Sequence, residues 1–300
     1  MTPTRRTVVF GGLGASLLLP SCATIPSWDD ADALGVLEAK SGGRLGVAII
    51  DTGTGRMIGH RAAERFGMCS TFKLPLAAVI LAEIDAGRMK ADQWVPYGAA
   101  DMVPVHPVTG PNLPKGGMTL IALAEGAQKT SDNVAANLML RLLGGPQGFT
   151  AKLRDIGDGV SRLDRYEPGM NLVMPGDIHD TTSPEAMARI IAHIFAGSVL
   201  TPASLNLLTE WMVGTKTGVR RIRAGLPAGW RAGDKTGSAI DVRPNPMVNK
   251  LNDVAIVFPP NRAPIVIAAY FDAAGHFEKN RPSDEAVLAH VGRIAAGAFA

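Results

Sequence analysis

The chemistry this sequence could perform begins at Ser70-Thr71-Phe72-Lys73, where a hydroxyl and an amine stand three residues apart. On a helix that spacing puts both side chains on one face, about 5–6 Å apart at Cβ, so the amine can reach the hydroxyl. A serine hydroxyl is a weak nucleophile until a neighbouring base takes its proton, and a lysine held near other cations and away from water gives up its own proton more readily. A helix start also offers unpaired N–H groups and the positive end of a dipole where an oxyanion would form. Two further clusters carry polar side chains of the right kinds. Ser131-Asp132-Asn133 falls at a junction between two helical segments, and Lys235-Thr236-Gly237 follows the strand-like run Trp230 to Asp234. The glycine there would let a substrate backbone approach the strand edge closely. Taken singly, the three are a capped helix with a surface lysine, a second cap and a turn.

The elements that must position these residues follow from periodicity. Strand-like runs occur early, at Arg44 to Asp51 and Arg56 to His60, and late, at Asn252 to Phe258 and Pro264 to Phe271. Between them Ser70 to Ala86, Thr119 to Lys129, Asp132 to Leu143, Ser183 to Phe195 and Thr201 to Val213 show apolar spacing of three and four, and a last helix spans Asp284 to Ala296. Ser183-Pro184 and Thr201-Pro202 are N-cap and first-turn signatures. The expected fold is α/β (α+β): one antiparallel sheet built from both chain ends with flanking helices, an inserted all-helical part, and an active site in the cleft between them. The α/β part takes residues 24–68 and 215–300 and the helical part 69–214, without linkers or repeats.

A chain of 300 residues, 46% hydrophobic and 19% charged, has enough apolar surface for a real core. Its net charge of +3 is scattered, leaving no basic stripe for nucleic acid. Arg5 and Arg6 precede an apolar run from Val8 to Pro20, followed by Ser21 and Ala23. The run falls short of the ~20 residues that cross a bilayer, so residues 1–23 read as an export signal of twin-arginine or lipoprotein type, and the mature chain is expected in the periplasm as a monomer. Two maturations stay open: cleavage near Ala23, or a lipoprotein box at Leu19-Pro20-Ser21-Cys22 that leaves Cys22 as a lipid anchor. Cys69 would then be a lone buried thiol. The histidines, His60, His106, His179, His193, His276 and His290, show no paired spacing for a metal, and Gly11-Gly12-Leu13-Gly14 lies inside the signal, so no cofactor or metal is expected.

In this order and at separations of tens of residues, the three motifs resemble those of the penicillin-recognising serine enzymes. Arg162-Leu163-Asp164-Arg165-Tyr166-Glu167, then Asn171, then Asp177 to Asp180, resembles the omega loop of class A β-lactamases, which transpeptidases lack. The resemblance runs from Cys69 to the final helix. It implies hydrolysis of β-lactam antibiotics, with Ser70 acylated, Lys73 and Glu167 managing its proton, and Ser131 relaying a proton to the departing ring nitrogen. Which base acts first stays open. The resemblance further implies an oxyanion hole of the Ser70 and Ser238 N–H groups. Glu167, held by Asn171, would position the hydrolytic water. Asn133 would bond the substrate's side-chain amide, while Lys235, Thr236 and Arg221 would receive its carboxylate, with Gly237 also among the substrate-binding residues. Arg165 and Asp180 would pin the loop ends, and Asn137 would bridge helix and loop near Glu167.

Three departures from that pattern bear on substrates. The aromatic gate of many relatives is replaced by Val105 or His106, depending on alignment. Ala239 stands where some relatives bridge a cysteine to the counterpart of Cys69, and the segment Ala239 to Leu251, with Pro244 and Pro246, is long. The rival reading is a β-lactam sensor or penicillin-binding peptidase, which would keep Ser70 and Lys73 but need no Glu167.

Overall fold

Five runs rich in β-branched and small residues pair into one antiparallel sheet: β1 (Arg44–Asp51), β2 (Met57–His60), β3 (Arg231–Ala239), β4 (Asn249–Phe258) and β5 (Ile265–Ala273). Their order is β2-β1-β5-β4-β3, so β1 from the start of the chain lies beside β5 from its end, with Leu45 opposite Phe271 and Ile49 opposite Ile267. This computed structural model describes Met1 and residues 30–240, 249–275 and 277–299. The export signal with Cys22, the Pro244 and Pro246 portion of the long segment, and His276 lie outside the described residues.

Helices cover both faces of the sheet: α1 (Asp30–Ser41), α2 (Lys73–Asp85), α3 (Leu120–Thr130), α4 (Asn133–Leu142), α5 (Gly145–Asp155), α6 (Pro184–Phe195), α7 (Pro202–Val213) and α8 (Pro282–Ala298). Alternate strand residues point to opposite sides. Leu45, Val47, Ile49, Ile267 and Phe271 meet Leu34 of α1 and Leu288 and Val291 of α8, while Ala48, Ile50, Val266 and Tyr270 face the helical side. Burial on two faces is why the second half of β4, Val254 to Phe258, and most of β5 read as continuous apolar runs. α2 is apolar nearly all round and sits at the centre of the helical part, against α3, α4 and α7.

The caps behave as their residues require. Ser183 Oγ accepts from Ala186 N at 3.1 Å and Thr201 Oγ1 from Ser204 N at 3.3 Å, each before a proline in the first turn. Three expectations need correction. The α-helix begins at Lys73, because Cys69 to Phe72 form a tighter 3₁₀ turn entered through Cys69 at φ 46°. Lys235-Thr236-Gly237 does not follow a strand: the ladder continues through it, with Thr236 opposite Asp253 and Gly237 opposite Asn252. α1 and α5 were not expected; α5 starts at Gly145-Pro146, which reads as a loop signal. A short pairing of Phe66–Gly67 with Thr181–Thr182 holds the far end of the 162–180 loop beside the approach to Ser70. Among the described residues no helix is long and apolar enough to cross a membrane.

Candidate active site

Ser70 is held by its backbone before any side chain acts on it. Asn252 Nδ2 donates to Gly67 O at 2.9 Å and to Met68 O at 3.1 Å, and Thr71 Oγ1 donates to Met68 O at 2.8 Å. Gly237 on the edge strand β3 lies directly against this turn. A Cβ at Gly237 would stand 2.9 Å from Met68 O, 3.1 Å from Cys69 Cβ and 3.2 Å from Ser70 N. The glycine is therefore demanded by the chain's own Ser70 turn. Cys69 is fully buried, and burial pushes its thiol up to about 12, so it packs as a small apolar group.

One turn on, Lys73 Nζ is fully buried, with Ser70 Oγ at 2.9 Å, Ser131 O at 3.0 Å, Asn133 Oδ1 at 2.5 Å and Glu167 Oε1 at 3.0 Å as its nearest acceptors. Ser70 Oγ in turn donates to Glu167 Oε1 at 3.3 Å. Ser131 enters because it ends α3 in the left-handed conformation, φ 62°, while the next residue caps α4. Asp132 Oδ1 accepts from Ala135 N at 2.9 Å, and its Oδ2 accepts from Val108 N and Thr109 N at 3.0 and 2.8 Å. The aspartate is thus the fixed centre of the junction, leaving Ser131 Oγ free to face Lys73 Nζ at 3.4 Å and Lys235 Nζ at 3.1 Å.

Glu167 is delivered by the loop, 97 residues from Ser70. Asn137 of α4 grips its backbone from both sides, accepting from Glu167 N and donating to Glu167 O, each at 2.9 Å. Asn171 Nδ2 donates to Glu167 Oε2 at 2.6 Å, leaving Oε1 for Ser70 and Lys73. Asp180 Oδ1 accepts from Asp164 N and Arg165 N at 2.7 and 2.9 Å, and its Oδ2 accepts from Arg165 Nε.

The opposite wall is β3. Lys235 Nζ is fully buried and donates to Ser131 Oγ and, at 2.8 Å, to Thr236 O. Burial, with Lys73 nearby, pushes its ammonium down to about 7. Thr236 Oγ1 lies 2.8 Å from Thr217 Oγ1. Arg221, expected to face a substrate carboxylate, is 4% exposed, and both its Nη groups are engaged. Nη1 donates to Gly237 O at 2.9 Å and Asn252 O at 2.7 Å, and Nη2 to Ser238 Oγ at 2.7 Å. Asn133 Nδ2 donates to Pro104 O at 2.9 Å. Behind the strand, burial raises the carboxyl of Asp234 to about 8, with Asp253 beside it, although Arg223 Nε donates to Asp234 Oδ2 at 2.8 Å.

Ser70, Ser131, Asn133, Glu167, Asn171, Arg221, Thr236 and Ser238 all line one cleft of about 710 Å³. At the position of the missing gate it is Val105, half exposed, that lines it, while His106 turns to Val103 O. Lys216, Thr217 and Arg220 also line the cleft and were missed. The signal was there: Lys216-Thr217-Gly218 repeats the triplet Lys235-Thr236-Gly237. Among the described residues no cluster of His, Cys, Asp and Glu could hold a metal ion.

This arrangement, a serine shared by a lysine and a carboxylate beside a second serine and lysine, has close relatives. The model of the β-lactamase enzyme family matches residues 30–299. The chain is 42% identical to β-lactamase AST-1 of Nocardia asteroides, with 98% of this chain and 96% of that protein aligned. It is 41% identical to the carbapenem-hydrolysing β-lactamase KPC of Klebsiella oxytoca over 88% and 87% of the two chains. The structure of an ancestral (GNCA) class A β-lactamase superposes with a TM-score of 0.83 at 48% identity, covering 90% of this chain and 100% of that one. Sequence, fold and site agree: the chain belongs to the β-lactamase enzyme family and, within it, to class A.

Proposed function

We propose that the protein hydrolyses the amide bond of β-lactam antibiotics through an acyl-enzyme on Ser70, and that a water activated by Glu167 releases it. Ser70 Oγ attacks the ring carbonyl while its proton passes to the Lys73–Glu167 pair, both members of which touch that oxygen. The N–H groups of Ser70 and Ser238 take the oxyanion, held at their spacing by the close packing of Gly237 on the Ser70 turn. The C–N bond breaks, and the ring nitrogen takes a proton from Ser131 Oγ, flanked by Lys73 and Lys235; Lys73 returns a proton to Ser131, so the proton that left Ser70 ends on the nitrogen and Glu167 is again a carboxylate. Lys235 and Thr236 receive the ring carboxylate, with Arg221 reinforcing them from behind the strand. Asn133 offers its second amide N–H to the substrate's side chain.

In the second half, Glu167 takes a proton from a water that attacks the ester, and that proton passes to Ser70 Oγ as the ester bond breaks. The observation that carries this reading is the 3.3 Å contact between Ser70 Oγ and Glu167 Oε1, with Asn171 fixing the other carboxylate oxygen. A sensor or peptidase that stays acylated needs no carboxylate there. The test is turnover of a chromogenic cephalosporin by the purified protein and by Glu167→Ala, with intact mass of each. The expected result is turnover by the first and a stable adduct on Ser70 in the second. Equal turnover by both would remove Glu167 from the mechanism.

The same reading places the mature chain in the periplasm as a monomer. Support for export is the Arg5-Arg6 pair before the apolar run Val8 to Pro20. The mass of the mature N-terminus distinguishes an acylated Cys22 from cleavage near Ala23.

A further inference from the structure

The charged groups on the cleft wall divide sharply by exposure. Glu167, Arg221 and Glu285 line the cleft but are buried, whereas Lys216 and Arg220 line it and are exposed. The large exposed apolar side chains on the same wall are Val105, Leu172, Val219 and Ile240. Among the described residues the exposed charged side chains on the cleft wall are therefore both positive, and they sit on one loop, 216–220.

That loop is placed with respect to the reaction. Thr217, between the two cations, has its Oγ1 2.8 Å from Thr236 Oγ1, so the loop borders the wall that receives the ring carboxylate. Its backbone is fixed by Lys216 N donating to Lys129 O at 3.0 Å. Arg220 is 73% exposed and is held by its Nε donating to Glu285 Oε2 at 2.8 Å in the first turn of α8, and neither Nη has a hydrogen-bond partner among the described residues. Arg221 cannot serve this purpose, since strand oxygens occupy both its Nη groups. A guanidinium fixed at Nε and open at Nη1 and Nη2 is a two-pronged donor for a carboxylate or sulfonate.

We propose that Lys216 and Arg220 form a cationic lip that selects β-lactams bearing a second anionic group on the substituent next to the ring carboxylate, and that speeds their capture. This rests on the hydrolytic reading of the site. Rim charges act mainly on association and are screened by salt, so the lip lowers KM and leaves kcat alone.

The experiment compares two chromogenic cephalosporins that differ only in a neutral or a carboxylate group on that substituent. kcat and KM are measured from low to high salt for the wild type, Lys216→Gln, Arg220→Gln and the double variant. The wild type is expected to favour the dianion by about tenfold in kcat/KM at low salt, an advantage that shrinks as salt rises. Lys216→Gln, whose amine has no partner among the described residues and whose loss breaks no fold contact, should lower that advantage about threefold. The double variant should abolish it through KM. An advantage unchanged in Lys216→Gln and in the double variant overturns the lip, as does an equal loss of kcat on both substrates. A wild type that turns over neither substrate overturns the hydrolytic reading, and the lip with it.

Discussion

Replacing Gly237 with alanine tests the packing of β3 on the Ser70 turn. The new Cβ would meet Met68 O at 2.9 Å, Cys69 Cβ at 3.1 Å and Ser70 N at 3.2 Å, where ordinary contact begins at 3.4 Å. Relief needs about 0.5 Å of separation at Met68 O and about 0.2 Å at Ser70 N. None of the three atoms is the far end of a flexible side chain, so either β3 or the Ser70 turn must move. One carries the Ser238 N–H and the other the Ser70 N–H, and any movement widens the gap between them. Losing one oxyanion donor outright costs about 10²- to 10³-fold; a displacement of a few tenths of an ångström should slow acylation by about 10- to 100-fold. Overpacking should also destabilise the fold by about 1–3 kcal/mol, lowering the melting temperature by about 3–10 °C. Stopped-flow acylation and thermal melting measure the two effects. Ser238→Ala, which removes an acceptor for Arg221 but keeps the N–H, is the control and should stay within about threefold of the wild type. A Gly237→Ala protein that melts lower yet acylates within twofold of the wild type would refute the argument that this glycine sets the hole.

Three other outcomes follow from named contacts. Lys235, pushed down to about 7, is charged below that pH and neutral above it in the empty cleft. KM for carboxylate-bearing substrates should therefore climb by up to about tenfold per unit above pH 7, with no such climb for one lacking the carboxylate, and a flat profile would contradict it. Asn171→Ala frees Glu167 Oε2 and should slow deacylation about 10- to 100-fold while acylation changes little, so a stoichiometric burst should appear; equal slowing of both steps would mean that Asn171 does not act on the water. Arg88, with Lys152, holds Glu83 down to about 2. The stability gained is complete above the ordinary value of 4.5 and lost as pH falls toward 2. Urea titrations should show Glu83→Gln less stable by about 2 kcal/mol at neutral pH, the shift being discounted for the exposure of Arg88, and nearly equal to the wild type near pH 2.

What could be read from the sequence was local. Ser70 and Lys73 meet because they are one helical turn apart, and the Ser183 and Thr201 caps bond within three residues. The strands of both chain ends were legible because sheet residues buried on two faces form apolar runs. α5 was hidden by the Gly145-Pro146 start, and the continuation of β3 by the polar side chains that an edge strand turns to a cleft. The tertiary structure decided everything that depends on neighbours far along the chain. Lys216-Thr217-Gly218 and Lys235-Thr236-Gly237 are the same three residues in sequence. Yet one lysine is exposed at the rim, while the other is fully buried against Ser131, where the loss of water brings its ammonium down to about 7. Arg220 and Arg221 are adjacent and identical, but only the second has its guanidinium consumed by strand oxygens. Glu167 reaches Ser70 because Asn137, Asn171 and Asp180 hold its loop. Residue type and spacing settle which groups can react, whereas solvation and the partners across the cleft settle which of them are aimed and charged to do so.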